Sequence, residues 1–207
     1  MSKLPKENQT VLAYFPNQDK MCMAQYVKGK GWKILKENWR YTRYIPNYWI
    51  ELPIEVEKMF EVWPTKGVER FITQQFGVNK EYYSNFGLPG HEGVDIRAPT
   101  GTEIVSVMNG IVKAVFNSGN YGINVRITSG DFEVIYAHLS KAMVEIGQEV
   151  VAGETIGLAG STGNSTAAHL HLTLKAKGVN QGYPSNIINP HPFLEHLLEK
   201  PLTMEHK

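Results

Sequence analysis

Short runs of β-branched and aromatic residues, broken by glycine, asparagine and serine, fill the chain from about residue 101 to 160. Ile104–Val107, Ile111–Phe116, Ile123–Ile127, Phe132–Tyr136 and Glu149–Val151 are such runs. Asn109-Gly110, Ser118-Gly119-Asn120, Ser129-Gly130-Asp131, Gly147 and Gly153 punctuate them. Strands this short and this regularly spaced predict an antiparallel β architecture. Ala167–Lys175 alternates cleanly, with Leu170, Leu172 and Leu174 on one face and His169 and His171 on the other, the period of a half-buried strand. Pro192–Lys200, carrying Leu194, Leu197 and Leu198, predicts one short closing helix opened by proline. Nearer the start, Ala24–Leu35 holds a Gly29-Lys30-Gly31 turn and predicts a hairpin, and Tyr44–Leu52 predicts a turn and a further strand.

Composition divides this mainly β chain. All four tryptophans lie before residue 65 and all seven histidines after it. We therefore expect a small β-rich accessory module over 1–65, a larger domain over 66–200 and a tail over 201–207. Between Lys20 and Arg43 there are seven Lys/Arg and one Glu, which reads as the solvated face of a small β module with aromatics in its core. The formal net charge is +1, a balance that gives no sign of a nucleic-acid partner. The single cysteine, Cys22, cannot form an internal disulfide and reads as a small buried hydrophobe. The polar start, Met1–Asn8, leads into no apolar signal region, and no run approaches the ~18 apolar residues of a membrane span.

The chemistry concentrates in the histidines. His91 and Asp95 are four residues apart, His169 and His171 two apart, and His138 stands in Tyr136-Ala137-His138-Leu139-Ser140. In an extended strand residues i and i+2 share a face, so His169 and His171 point the same way, and His91 and Asp95 do so if that segment is extended. Imidazoles and a carboxylate suit zinc, and three protein ligands leave a fourth position open for chemistry. The helical H-E-x-x-H pattern is absent, since His91-Glu92 leads to Asp95. Glu92 is set aside as a general base because a strand neighbour of His91 points away from its site. His191, His196 and His206 read as surface or helix residues.

Gly90-His91-Glu92-Gly93-Val94-Asp95-Ile96 with Ala98–Thr102, Tyr136–Ser140, Gly160–His171 and the ending Asn189–Leu194 occur in one order and spacing. From about residue 68 to 200 the chain resembles the lysostaphin-like, LytM-type zinc endopeptidases that cut peptidoglycan. That resemblance implies an antiparallel β core of the lysostaphin type (a duplicated hybrid motif). It implies one zinc per chain on His91, Asp95 and His171, with His138 and His169 as the catalytic pair beside the attacking water. It also implies that Tyr82 or Tyr83 helps stabilise the intermediate, and that Asn120 and Tyr121 lie on the groove rim. One departure is Ala167-Ala168 before His169, where the family often has proline.

The expected function is zinc-dependent hydrolysis of peptide cross-links or stem peptides in bacterial peptidoglycan, by a protein expected to be a monomer. The cell wall is the expected place of action, reached by lysis, from a phage, or through an export signal lying elsewhere. A latent or regulatory wall-binding protein of the same fold is the alternative. A biotinyl or lipoyl carrier, suggested by Val107-Met108-Asn109-Gly110, is disfavoured because Asn109 stands where an attachment lysine is required.

Overall fold

The computed structural model describes residues 59–178 and 183–198, and ahead of them the backbone of five strands. The Gly29-Lys30 turn, the side chains of Cys22, His196, His206 and the basic stretch, and residues 199–207 lie outside the described residues. The chain divides into two compact units, Met1–Val56 and Glu57–Lys207.

In the first unit, β1 (Thr10–Phe15), β2 (Lys20–Val27), β3 (Gly31–Ile34), β4 (Tyr41–Thr42) and β5 (Tyr48–Glu51) form one antiparallel sheet in the order β4-β3-β2-β1-β5. The expected hairpin is β2–β3, with Tyr26 opposite Trp32.

The second unit carries β6 (Ile72–Gln74), α1 (Lys80–Ser84), β7 (Val94–Arg97), β8 (Glu103–Val105), β9 (Gly110–Asn117), β10 (Ile123–Ser129), β11 (Phe132–Ala142), β12 (Glu149–Val150), β13 (Thr155–Ala159), β14 (His169–Ala176), β15 (Ile187–Ile188) and α2 (His191–Leu198). Its main sheet runs β12-β9-β10-β11-β14-β7-β6, and β13 joins β11 to β8. Every pairing is antiparallel. Residues 60–66 belong to this unit: Phe60 is fully buried with its ring 5.5 Å from that of Phe193 on α2, and Glu61 and Lys66 donate backbone hydrogen bonds to Val107 and Glu103.

Alternation sorts the two faces of the sheet. Leu170, Leu172 and Leu174 of β14, Val94 and Ile96 of β7, Val125 and Ile127 of β10, and Val134 and Tyr136 of β11 are all fully buried. They form the apolar side, the main source of stability at roughly 25 cal/mol per Å² of buried apolar surface. Residues of opposite parity on β7 and β14 bring Asp95, His169 and His171 to the other face.

The sheet is broken where the site lies. β11 pairs with β14 up to Ala137 and with β13 from Leu139, and its pairing with β10 is interrupted between Tyr136 and Leu139. His138 sits at the changeover with φ 60°, a left-handed conformation uncommon for a residue with a side chain. Leu139 pairs with Ile123 whereas Tyr136 pairs with Val125, so β11 carries one extra residue in a bulge. The His138 amide donates to the Tyr121 carbonyl at 2.9 Å instead of continuing the ladder. A bulge re-aims a side chain, and here it turns that of a histidine.

Candidate active site

Asp95 on β7 lies directly opposite His171 on β14. His91 lies just ahead of β7 and reaches the same point. Their atoms converge: Asp95 Oδ1 is 2.9 Å from His171 Nδ1, His91 Nε2 is 3.0 Å from His171 Nδ1, and His91 Nε2 is 3.2 Å from Asp95 Oδ1. Outer contacts orient the rings. His91 Nδ1–H donates to the Gln75 carbonyl at 3.0 Å, and His171 Nε2 lies 2.9 Å from the Thr173 hydroxyl. With Nδ1–H on the Gln75 carbonyl, a neutral His91 keeps its lone pair on Nε2, facing the Asp95 carboxylate and the His171 ring. Tetrahedral zinc, with ligand distances of ~2.0–2.2 Å, needs ligand atoms ~3.3 Å apart, so donor chemistry and spacing both fit that ion.

Gly93 lets the two halves close. A Cβ there would lie 2.5 Å from the Leu172 carbonyl oxygen and 2.9 Å from the His171 ring, which a side chain cannot tolerate. The Asp95 carboxyl, although burial opposes its charge, is held far below the usual carboxylate range by contacts with His169, His171 and His91.

His138 and His169 stand beside this cluster, their ring centroids 4.8 Å apart and that of His138 5.6 Å from His171. His138 Nδ1–H donates to the Thr162 carbonyl at 2.8 Å, and His169 Nδ1–H to the Ala167 carbonyl at 2.8 Å. Each neutral ring then keeps its lone pair on Nε2. Their environments differ. Burial, followed by the neighbouring His171, pushes His138 down to about 4. Burial lowers His169 as well, but the Asp95 carboxylate, 3.5 Å from its Nε2, outweighs this and raises it.

The pair and the ligand cluster open into a cleft of about 310 Å³. One wall is α1 and the loop after it. Tyr83 stacks on His91 at 5.2 Å between centroids, its hydroxyl accepts from Gln74 Nε2 at 2.9 Å, and burial pushes its phenol up to about 12. Tyr82 is half-exposed and accepts from Asn164 Nδ2 at 3.3 Å. The opposite wall includes Asn120 and Tyr121, whose ring is 5.7 Å from His171. All nine residues singled out from the sequence meet in this one region: His91, Asp95 and His171 at its floor, His138 and His169 beside them, Tyr82, Tyr83, Asn120 and Tyr121 on its walls.

Residues 89–183 match peptidase family M23. The catalytic domain of the prophage-encoded M23 protein EnpA from Enterococcus faecalis, solved as a point mutant, is 30% identical, with a TM-score of 0.52 and 63% of this chain and 95% of that one covered. The chain belongs to peptidase family M23. The solved LytU structure is 31% identical with a TM-score of 0.52, covering 65% of this chain and 90% of that one. Among curated proteins, a peptidoglycan DD-endopeptidase of Vibrio cholerae, ShyA, is 31% identical over 144 residues, which is 69% of this chain and 33% of that protein. The chain spans a third or less of the length of the first curated relatives it matches.

Several residues of this M23 site were not singled out from the sequence. Gln75 and Thr162 act through backbone carbonyls, which leave no trace in residue type. Thr173 did have a signal: it is the next same-face position after His171 on β14. Glu92 corrects an expectation. It lines the cleft and pairs with Tyr121 instead of pointing away. Strand alternation fails there because residues 92–93 form a bend and β7 begins only at Val94. His191, expected to be a surface or helix residue, opens α2 with Nδ1 2.5 Å from Gln75 Oε1. Through that residue it abuts the backbone that orients His91.

Proposed function

We propose that the chain is a zinc-dependent endopeptidase that hydrolyses peptide cross-links or stem peptides of bacterial peptidoglycan. The convergence of His91 Nε2, Asp95 Oδ1 and His171 Nδ1, with the lone-pair nitrogens of His138 and His169 beside it, carries the reading. Zinc in this position supplies a Lewis acid that polarises a peptide carbonyl and acidifies water. The rest is work for the chain. The Gln75 carbonyl and the Thr173 hydroxyl hold the ligand rings in one tautomer and orientation. Of the pair, one neutral imidazole takes the proton of the attacking water. The other, protonated, donates to the oxygen on which negative charge develops. Tyr83 and Tyr82 line the cleft where that charge develops, and Asn120 and Tyr121 line its opposite wall. The second unit, Glu57–Lys207, carries this activity, and the first, Met1–Val56, serves as an accessory module; the boundary lies nearer the start than the expected residue 65 because Phe60 and Trp63 belong to the second unit's core.

Purified peptidoglycan from several bacterial types, digested by the zinc-loaded protein, tests this reading. New peptide termini should be visible by mass spectrometry and should vanish with chelator and in His138→Ala. The same termini in the presence of chelator, or from the variant at the wild-type rate, contradict it. No cleavage of any wall points to the latent protein of the same fold.

A further inference from the structure

The face of the sheet that carries the ligands does not end at them. On β14 the same-face positions continue from His171 through Thr173 to Lys175, ~13 Å along the strand at ~3.3 Å per residue. Thr173 pairs with Ile135, and Ile135 with Arg126 of β10, so Arg126 shares that face. Glu133, opposite Lys175, shares it too. Here three cations gather on one carboxylate. Lys113 Nζ is 2.5 Å from Glu133, but Arg126 Nη1 and Lys175 Nζ both stop at 3.8 Å.

That gap matters. Arg126 spends its Nε–H on Asn124 Oδ1 at 3.3 Å, and its guanidinium carbon lies 4.9 Å from the centre of the exposed Phe116 ring. The terminal nitrogens of Arg126 and the ammonium of Lys175 meet no acceptor within hydrogen-bonding distance among the described residues. Both side chains are well covered, 24% and 20% exposed. Burial and the charge of Arg126 depress Lys175, against the pull of Glu133 and Glu92. Partly desolvated donors without acceptors favour an incoming anion.

Among the described residues, Tyr121 alone stands between the patch and the cleft. Tyr121 has its ring 5.7 Å from His171 on one side and 5.9 Å from the Arg126 guanidinium on the other. Glu92, next to Tyr121, marks the boundary between the two regions. Three cations against Glu133 leave the patch positive even with Glu92 nearby.

We propose that Arg126 and Lys175 form a carboxylate-binding subsite that selects peptides bearing a free carboxylate beyond the scissile bond. Thr173, between His171 and Lys175 on β14, is fully buried, so a peptide would cross over Tyr121 rather than lie on β14. At ~3.3–3.6 Å per residue the carboxylate stands about four residues from the bond, or fewer when a side chain carries it. The inference rests on the endopeptidase reading and specifies its substrate: an acidic peptide and not a neutral glycine run.

The test is binding, measured apart from cleavage. Soluble peptides released from purified peptidoglycan are split into two portions, one left native and one with its carboxyls converted to amides. Each is titrated calorimetrically into the zinc-loaded full chain carrying His138→Ala. The native peptides should bind about tenfold more tightly, a difference of ~1.4 kcal/mol. Adding Arg126→Gln with Lys175→Gln should abolish the preference, and Arg126→Lys should retain part of it. Glu133→Gln should increase it, a gain that misfolding cannot imitate. Equal binding of the two portions, no binding of either, or a preference that survives the double substitution overturns the subsite. Cleavage of the same peptides by the unsubstituted protein is scored separately, so the loss of the endopeptidase reading is visible by itself.

Discussion

At the scale of residues, the site is a set of rings held in chosen states by unremarkable partners. Thr173 presents its hydroxyl to Nε2 of His171. Thr173→Val should lower zinc affinity about 10- to 100-fold, the usual cost of losing an outer-shell partner, as read by competition with a chromophoric chelator. Unchanged affinity would remove Thr173 from the account. His138 gives a pH prediction for the metal-stripped protein. Its ring is almost fully buried and its folded-state value is about 4, below the ordinary 6.5. A histidine depressed on folding stabilises the fold above its unfolded value, and that contribution disappears as pH falls from about 6.5 to about 4. The shift corresponds to roughly 3 kcal/mol. Urea unfolding at pH 7 and pH 4 should therefore show wild type losing about that much more than His138→Gln. An equal loss in the two proteins would contradict the burial argument.

At the scale of elements, one glycine and one bulge make the site possible. Gly93→Ala forces a carbon against the Leu172 carbonyl and the His171 ring, so β7 and β14 must part. Zinc affinity should fall at least tenfold, accompanied by a drop in melting temperature, and retention of both would contradict the close approach. Elements are also where the sequence was most and least legible. β14 could be read directly, because three leucines alternate with His169, His171 and Thr173, and each side of that alternation has one environment. β9, β10 and most of β11 were legible from β-branched runs between glycine turns. Glu92 was misread locally, since period-two reasoning applies to strands and it precedes one. The bulge at His138 left no mark either: its left-handed backbone is imposed by Tyr121 and by the change of partner strand, which are distant in sequence. The carboxylate patch was equally hidden, because Arg126, Glu133 and Lys175 become neighbours only through strand register.

At the scale of the molecule, the second unit reaches back beyond its first strand. Phe60 and Trp63 are buried in it. A chain beginning at Glu57 should keep its melting temperature and its zinc, whereas one beginning at Val68 loses two large aromatics from the core. Each such loss costs roughly 3–5 kcal/mol, so the shorter chain should unfold at a visibly lower temperature. Equal melting of the two would show that residues 57–67 are dispensable. Activity that rises on removal of residues 1–56 would give the first unit an inhibitory role, and unchanged activity would make it an accessory.

The central claim is that His91, Asp95 and His171 together hold one zinc ion per chain. Native mass spectrometry of the purified chain tests it most directly, beside Asp95→Ala and His171→Ala and with zinc at equal concentration. The account predicts a single zinc adduct on the wild-type chain, lost from both variants and restored to neither by moderate excess metal. Wild-type chain without zinc, or variants that bind zinc as wild type does, would contradict it.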